Sequence, residues 1–243
     1  DAEVCRVAAQ SGHLQCLQYA HEHGCPWEGD VCEAAAEGGH LHCLQYAHEQ
    51  GCAWDDDVCD AAARCGQLAC LQYAHEQGSP WDENTCAWAS DANSMPCLQY
   101  AHAHGCAWNC EVCENAAFHG NLTMLQYAHN EGCSWNVNTL VYAALSDCLA
   151  CVQYLLEHSC PWDATVCEQV AQHGTLEALT YPHERGCPWD ARTCIEAARA
   201  NNLACLQYAH EQGCPWNARI CDAALAGRSL ACLQYAHEHG CEL

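Results

Sequence analysis

The chain has 243 residues, of which 51% are hydrophobic, and its 31 Asp and Glu against seven Lys and Arg give a formal net charge of −24. This charge repels nucleic-acid phosphates and anionic lipid head groups, so neither a nucleic acid nor a membrane is expected as a partner. No stretch approaches the roughly 18 consecutive apolar residues of a membrane-spanning helix, and the first ten residues lack the basic and apolar regions of a secretory signal.

The sequence repeats with a period of 27 residues. Residues 16–42 read CLQYAHEHGCPWEGDVCEAAAEGGHLH, and edited copies start at positions 43, 70, 97, 124, 151, 178, 205 and 232 without insertion or deletion. Such a period is typical of solenoids, in which each unit buries its apolar face against its neighbours. We therefore expect a single repeat domain over residues 1–243. Because the chain begins without Met and inside a unit, we expect it to be a piece of, or continuous with, a longer chain.

Each unit predicts two helices, here called helix A and helix B. Helix A follows an Asp, Asn or Glu, whose side chain can accept from the first N–H groups of a helix. Its Ala-rich body places apolar residues at i, i+3 and i+4, and helix B ends at a glycine such as Gly51, which suits a left-handed C-cap. Pro182 predicts a kink in helix B of the seventh unit. The expected N-caps of helix A are Glu28, Asp55, Asp82, Asn109, Asn136, Asp163, Asp190 and Asn217.

The linker after helix B carries a tryptophan in all eight cases, from Trp27 to Trp216, which we expect to cover the seam between units. Helix B carries a histidine at one equivalent position, except that Leu156 replaces it in one unit. A column of imidazoles could act as a pH switch. The exchange with leucine favours instead a partly buried ring with one nitrogen bonded to the backbone of the adjacent unit.

The chain contains 26 cysteines, and all but three occupy three repeated positions. A disulfide scaffold is one interpretation of this content. However, the residues that replace cysteine at these positions are Ser79, Met124, Leu140 and Ala178, so the cysteines are expected to be reduced, buried hydrophobes in a reducing, cytoplasmic compartment. The alternative is an extracellular array held by disulfides. The remaining cysteines are Cys65, Cys110 and Cys148.

Two C-x-x-C pairs have zinc-ligand spacing, Cys110 with Cys113 and Cys148 with Cys151. Neither is followed by a second such pair at zinc-ribbon distance, so no metal and no cofactor are expected. No Ser-His-Asp or Cys-His relay occupies a unique place in the sequence, because every candidate pair belongs to the repeated positions. We therefore do not expect an enzyme.

The string GHLHCLQYAHEQGCAWD at residues 39–55 resembles the ankyrin repeat, in which a Gly-His-Leu turn precedes an apolar helix and a Gly-Ala-Asp ending. The sixth unit is more similar still, since Leu155 and Leu156 stand where sister units carry Ala and His. The resemblance covers the whole chain and implies an all-α, ankyrin-like α-solenoid of about nine stacked helix-turn-helix repeats. The unit is shorter than the family's roughly 33 residues, and no residues remain for its β-hairpin finger.

The family resemblance implies a non-catalytic scaffold that binds a protein partner. Within helix A, the positions of Glu33, Ala34, Glu37 and Gly38 vary most between units and are expected to face solvent. Aromatic residues appear at these positions on three successive A helices, and exposed aromatics mark interaction sites. The predicted partner-binding residues are Trp88, Phe118, His119 and Tyr142, with residues 89–91 at the edge.

Two alternatives to this prediction remain. The aromatic residues could be local packing. The chain could also be a structural subunit that coats a particle or self-associates end to end through uncapped terminal repeats.

Overall fold

The computed structural model describes residues 2–26, 30–52, 54 and 57–241. These residues form helices joined by short turns, and no strand occurs among them. Eighteen helices are present in the described ranges, two for each 27-residue repeat, with helix A odd-numbered and helix B even-numbered. The predicted all-α fold of about nine helix-turn-helix repeats is confirmed.

The chain divides into two compact units of several repeats each, Asp1–Val112 and Cys113–Leu243. We call these the first and the second unit, and we call each 27-residue element a repeat. The first unit contains α1 Ala2–Gln10, α2 Leu14–Glu22, α3 Asp30–Glu37, α4 Leu41–Glu49, α5 Val58–Arg64, α6 Leu68–Glu76, α7 Glu83–Asp91 and α8 Met95–Ala103. Helix α9, Glu111–Phe118, begins where the first unit ends. The second unit continues with α10 Leu122–Asn130, α11 Val137–Leu145, α12 Leu149–Glu157, α13 Ala164–His173, α14 Leu176–Glu184, α15 Ala191–Arg199, α16 Leu203–Glu211, α17 Arg219–Ala226 and α18 Leu230–Glu238.

Within each unit the A helices form one layer and the B helices another. In the first unit, α1, α3, α5 and α7 pack in sequence, and each also packs on the helix B of its own repeat. The second unit has the same arrangement from α11 to α18. Helix α14 makes one additional contact, because it also packs on α11 of the preceding repeat.

The helix ends follow the predicted capping chemistry. The side chains of Asp82, Asn136, Asp163 and Asp190 accept from backbone N–H groups of the first helical turn, and Asn136 forms a full capping box with Thr139. Asn109 and Asn217 make the same type of bond. Gly51 has φ +86°, the left-handed conformation expected at the end of helix B. The expected caps Glu28 and Asp55, and the linker residue Trp27, lie outside the described residues.

The core of each unit consists of repeated small and medium-sized side chains. Fully buried leucines of helix B, such as Leu71 and Leu206, pack with the alanines and cysteines of both layers. Burying one such leucine stabilises the fold by roughly 2 kcal/mol. Because alanine dominates the facing surfaces, the A helices approach closely. As a result, the position of Ala34, which was expected to face solvent, lies in the core. Ala34 is only 3% exposed, so the prediction of solvent exposure is wrong there.

Helix α14 continues through Pro182, which is buried, and remains helical to Glu184. The lost backbone N–H costs one helical hydrogen bond without ending the helix. Across the described ranges, no helix combines the length and hydrophobicity needed to cross a bilayer.

Candidate functional site

The second unit brings three of the four predicted partner-binding residues together. Phe118, at the end of α9, is 56% exposed, and its ring centroid lies 6.0 Å from that of Tyr142 on α11, edge to face at 89°. His119 is exposed and lies at 5.3 Å from Phe118, ring centroid to ring centroid. Tyr142 is half-buried between its neighbours. We call Phe118, His119 and Tyr142 the aromatic patch.

Trp88 belongs to the first unit and has a different environment. It lies on α7, is 38% exposed, and has the guanidinium carbon of Arg64 at 6.0 Å from its ring centroid. Arg64 is held on α5 by ion pairs with Glu37 at 2.6 Å and Glu33 at 3.7 Å. A cation over the face of Trp is attractive, so Trp88 has a charged neighbour that orients its ring.

The expected edge of this surface, residues 89–91, is mostly buried. Ala89 and Ser90 have no exposed surface, and the Ser90 hydroxyl donates to the carbonyl of Ala87 at 2.9 Å. Only Asp91 of this segment is exposed. Ala89 and Ser90 therefore cannot contact a partner, because they form the side of α7 that packs on the rest of the unit.

The repeated histidines of helix B form a second regular feature, here called the His-Tyr ladder. In five repeats, Nδ1 of the histidine forms a hydrogen bond with the hydroxyl of the tyrosine in the next repeat, at 2.8–3.1 Å. The expected backbone partner is thus replaced by a side chain, since the tyrosine ring extends across the seam. The pairs are His48 with Tyr73, His75 with Tyr100, His129 with Tyr154, His183 with Tyr208, and His210 with Tyr235.

The linker tryptophans complete this ladder. Trp81 stacks on His75 with centroids 3.6 Å apart, and Trp189 stacks on His183 at 3.5 Å. Each of these tryptophans also meets the next tyrosine edge to face, at 6.2 and 6.1 Å. The tryptophans therefore cover the seam between repeats, as predicted.

Burial lowers the pKa of the ladder histidines His75, His129, His183 and His210. In three of them a second histidine nearby also lowers it: His104, His158 and His239. These four histidines are therefore held neutral more strongly than an exposed imidazole, and their rings are half-buried.

All but five of the 26 cysteines are buried, in agreement with their predicted core role. Burial raises the pKa of Cys59 and Cys70 to about 11, which suppresses the reactive thiolate. Cysteines 20 residues apart in one repeat contact each other, as Cys86 and Cys106 do, and the Cys106 thiol donates to the Asp82 carbonyl at 2.9 Å. The five that are not fully buried are Cys16, Cys25, Cys65, Cys110 and Cys148.

Cys148 and Cys151 of the second C-x-x-C pair are in contact. Burial raises the pKa of the Cys151 thiol, and the hydrogen bond with Cys148 raises it further. The Cys148 thiol also donates to the Gly120 carbonyl at 3.4 Å. In the part of the chain that the structure describes, no three His, Cys, Asp or Glu side chains converge in a way that could hold a metal ion.

No protein-family model matches the chain, and no curated protein matches it. Among solved structures, the chain is similar to the ankyrin repeat domain of human ASB11, with 18% sequence identity, a TM-score of 0.40 and 96% of each chain covered. A likeness this distant says nothing about what the chain binds.

The sequence analysis missed one feature of the second unit, a cavity of about 70 Å³ beside α14. Its signal in the sequence was the departure of the sixth and seventh repeats from the repeated positions, which carry Leu156 in place of histidine and Ala178 in place of cysteine. The cavity is lined by Ala143, Ala144, Asp147, Leu149, Val152, Glu177, Ala178 and Tyr181.

Proposed function

We propose that the chain is a non-catalytic scaffold for protein–protein binding, and that a partner contacts its A helices at the aromatic patch. The observation that carries this proposal is the exposure of Phe118 while its ring is fixed edge to face against Tyr142. The equivalent positions of other repeats carry residues such as Gln172 and Ala34. An exposed aromatic ring that is held against a second aromatic ring is suited to act as a binding anchor.

The geometry of the patch also suits rapid and specific docking. Aromatic side chains bury roughly 150–250 Å² each when covered, and only two torsion angles need to be fixed. Because Phe118 and Tyr142 already hold each other in place, a partner immobilises little further side-chain motion. The net charge of −24 favours a partner with a basic rim around an apolar centre, since opposite charges accelerate association.

Trp88 is proposed as a separate contact point on the first unit. Its ring is oriented by Arg64, which Glu37 holds at 2.6 Å, so this tryptophan too is partly fixed before binding. Tryptophan is among the residues most enriched at binding hot spots.

The test begins with affinity purification from the source organism, identification of the captured proteins by mass spectrometry, and calorimetry with the purified partner. Phe118→Gln places at this position the residue that Gln10 and Gln172 carry in sister repeats, so the fold is expected to tolerate it. Loss of a hot-spot aromatic should weaken binding by about tenfold or more. Gln172→Ala serves as the control. It changes the position on α13 that is equivalent to Phe118, so it should leave the affinity unchanged. Equal affinity of Phe118→Gln and the unmodified chain would refute the assignment of the patch.

End-to-end assembly is the second candidate function, and one observation favours it. Large side chains of the first and last repeats are 45–66% exposed. These residues are Val4, Val7, Tyr19, Leu225 and Leu230. Light scattering distinguishes the two functions, because assembly predicts a mass that rises with concentration, whereas a scaffold on its own gives one constant mass. Leu230→Glu should abolish any such rise.

A further inference from the structure

The sixth and seventh repeats depart from the repeated sequence on the side of α14 that faces α11 and α12. Leu156 replaces the ladder histidine, Ala178 replaces a buried cysteine, and Pro182 replaces a buried alanine. Of these three residues, Ala178 lines the cavity. Ala178 contributes to it directly, because alanine is smaller than the cysteine or methionine found at the equivalent position in the other repeats.

The floor of the cavity is apolar and its rim is acidic. Ala143, Val152 and Ala178 are buried, whereas Asp147 and Glu177 are exposed. No basic side chain occurs among the described residues that line it. A ligand that enters the cavity therefore meets hydrocarbon inside and two carboxylates at the mouth.

The carboxylate of Asp147 is held in place by a hydrogen bond. Asp147 has φ +57° at the turn where most repeats carry glycine, and it accepts a hydrogen bond from the Thr175 hydroxyl at 2.7 Å. Asp tolerates this left-handed conformation, and Asn93, Asn201 and Arg228 adopt it at the equivalent turns of other repeats. The hydrogen bond from Thr175 therefore holds this carboxylate at the edge of the cavity.

Tyr181 also lines the cavity. The ladder tyrosines bond a histidine 25 residues earlier, but for Tyr181 that position is Leu156, so its hydroxyl has no imidazole to bond. The guanidinium carbon of Arg185 lies 3.4 Å from the ring centroid of Tyr181. Arg185 does not line the cavity, so its charge does not fill the mouth.

The size of the cavity restricts the ligand. An apolar cavity of roughly 150 Å³ holds benzene, and a volume of about 70 Å³ is about half of that. An aromatic ring is therefore too large, whereas a short unbranched hydrocarbon chain fits.

We propose that this cavity binds a lysine side chain of a protein partner, with the methylene stem on the apolar floor and the ammonium group at the rim. An ammonium group has three donors and no acceptor. Asp147 and Glu177 provide carboxylate acceptors for these donors. The identity of the ligand as part of a protein rests on the proposed scaffold function, but the cavity can be tested without any partner.

The experiment uses n-butylammonium, the end of a lysine side chain, as the probe. The full chain is labelled at its alanine and valine methyl groups, and the probe is titrated while methyl NMR spectra are recorded. We expect saturable shifts at Ala143, Ala178 and Val152, with dissociation in the millimolar range for so small a ligand. Neutral n-butanol has the same stem and should bind at least about threefold more weakly, because it loses the attraction of the two carboxylates.

Two variants serve as matched controls, because each introduces a residue that another repeat carries at the equivalent position. Ala178→Met introduces the residue that Met124 carries, fully buried, at the equivalent position, so it should fill the cavity and abolish the shifts without unfolding the chain. Asp147→Asn should be tolerated, because Asn93 and Asn201 occupy the equivalent turns of other repeats with φ of +52° and +61°. The loss of one carboxylate should weaken binding of the probe about two- to fivefold.

The absence of saturable shifts, equal binding of n-butanol, or shifts that persist in Ala178→Met would each overturn the assignment of the cavity. None of these results would affect the scaffold function, which is tested separately at Phe118.

Discussion

Tyr208→Phe is the sharpest test of the His-Tyr ladder, because the chain contains its own control. The Tyr208 hydroxyl forms a 3.0 Å hydrogen bond with Nδ1 of His183, and phenylalanine removes only that oxygen. Tyr181 occupies the equivalent position in the preceding repeat of the same unit, but Leu156 stands where its histidine would be. Tyr181→Phe therefore deletes the same atom without deleting the ladder hydrogen bond.

The expected magnitude follows from this difference. A hydrogen bond between partly buried neutral groups contributes about 1 kcal/mol to the free energy of unfolding, within a range of roughly 0.5–1.5 kcal/mol. Once Tyr208 loses its hydroxyl, Nδ1 of His183 is also left without its partner under the stacked ring of Trp189, which adds to the cost. For a chain of this size, about 1 kcal/mol lowers the melting temperature by roughly 2–4 °C. Tyr181→Phe should stay within about 0.5 kcal/mol of the unmodified chain.

The measurement is equilibrium urea unfolding at pH 7.5, monitored by far-UV circular dichroism, with a scanning calorimetry trace for each variant. The double variant His183→Leu/Tyr208→Phe closes a thermodynamic cycle and isolates the interaction between the two side chains. If Tyr208→Phe and Tyr181→Phe cost the same, or if the cycle gives no coupling between His183 and Tyr208, the ladder hydrogen bond does not stabilise the fold and the reasoning fails.

Two further predictions concern protons and thiols. Burial lowers the pKa of His183 and His210 in the folded chain, whereas in the unfolded chain they titrate near an ordinary value of about 6.5. The stability that these two histidines provide is therefore present above that pH and is lost as the pH falls below it. Thermal unfolding between pH 8 and pH 5 should show this loss, and it should be smaller in His183→Leu/His210→Leu; an equal loss in both proteins would contradict the assignment. For the thiols, Cys16 and Cys65 are exposed and should react with a colorimetric disulfide reagent within the first, rapid phase, while the buried majority reacts only on unfolding. A rapid phase of more than about twenty equivalents would disprove burial of the cysteine positions.

Much of the local structure could be predicted from the sequence, because it depends on residues close together in the chain. Acidic and amide residues such as Asp82 and Asn136 cap helix A through bonds to N–H groups two or three residues away. Glycine at the end of helix B adopts the left-handed conformation that its lack of a side chain permits. The interchange of cysteine with Leu140 and Met124 indicated a buried position without any knowledge of the neighbours.

The tertiary structure decided what depends on neighbouring repeats. Ala34 is buried, although its position varies between repeats, because the A helices approach closely along that side, and only larger side chains such as Trp88 emerge there. The partner of each ladder histidine is a tyrosine hydroxyl 25 residues later, which the sequence alone could not distinguish from a backbone carbonyl. The cavity beside Ala178 could not be predicted for the same reason, since a cavity is the space that several helices together leave unfilled. The sequence by itself determined the repeat, its helices and their ends, whereas contacts across the seams decided which side chains are covered and which remain available to a partner.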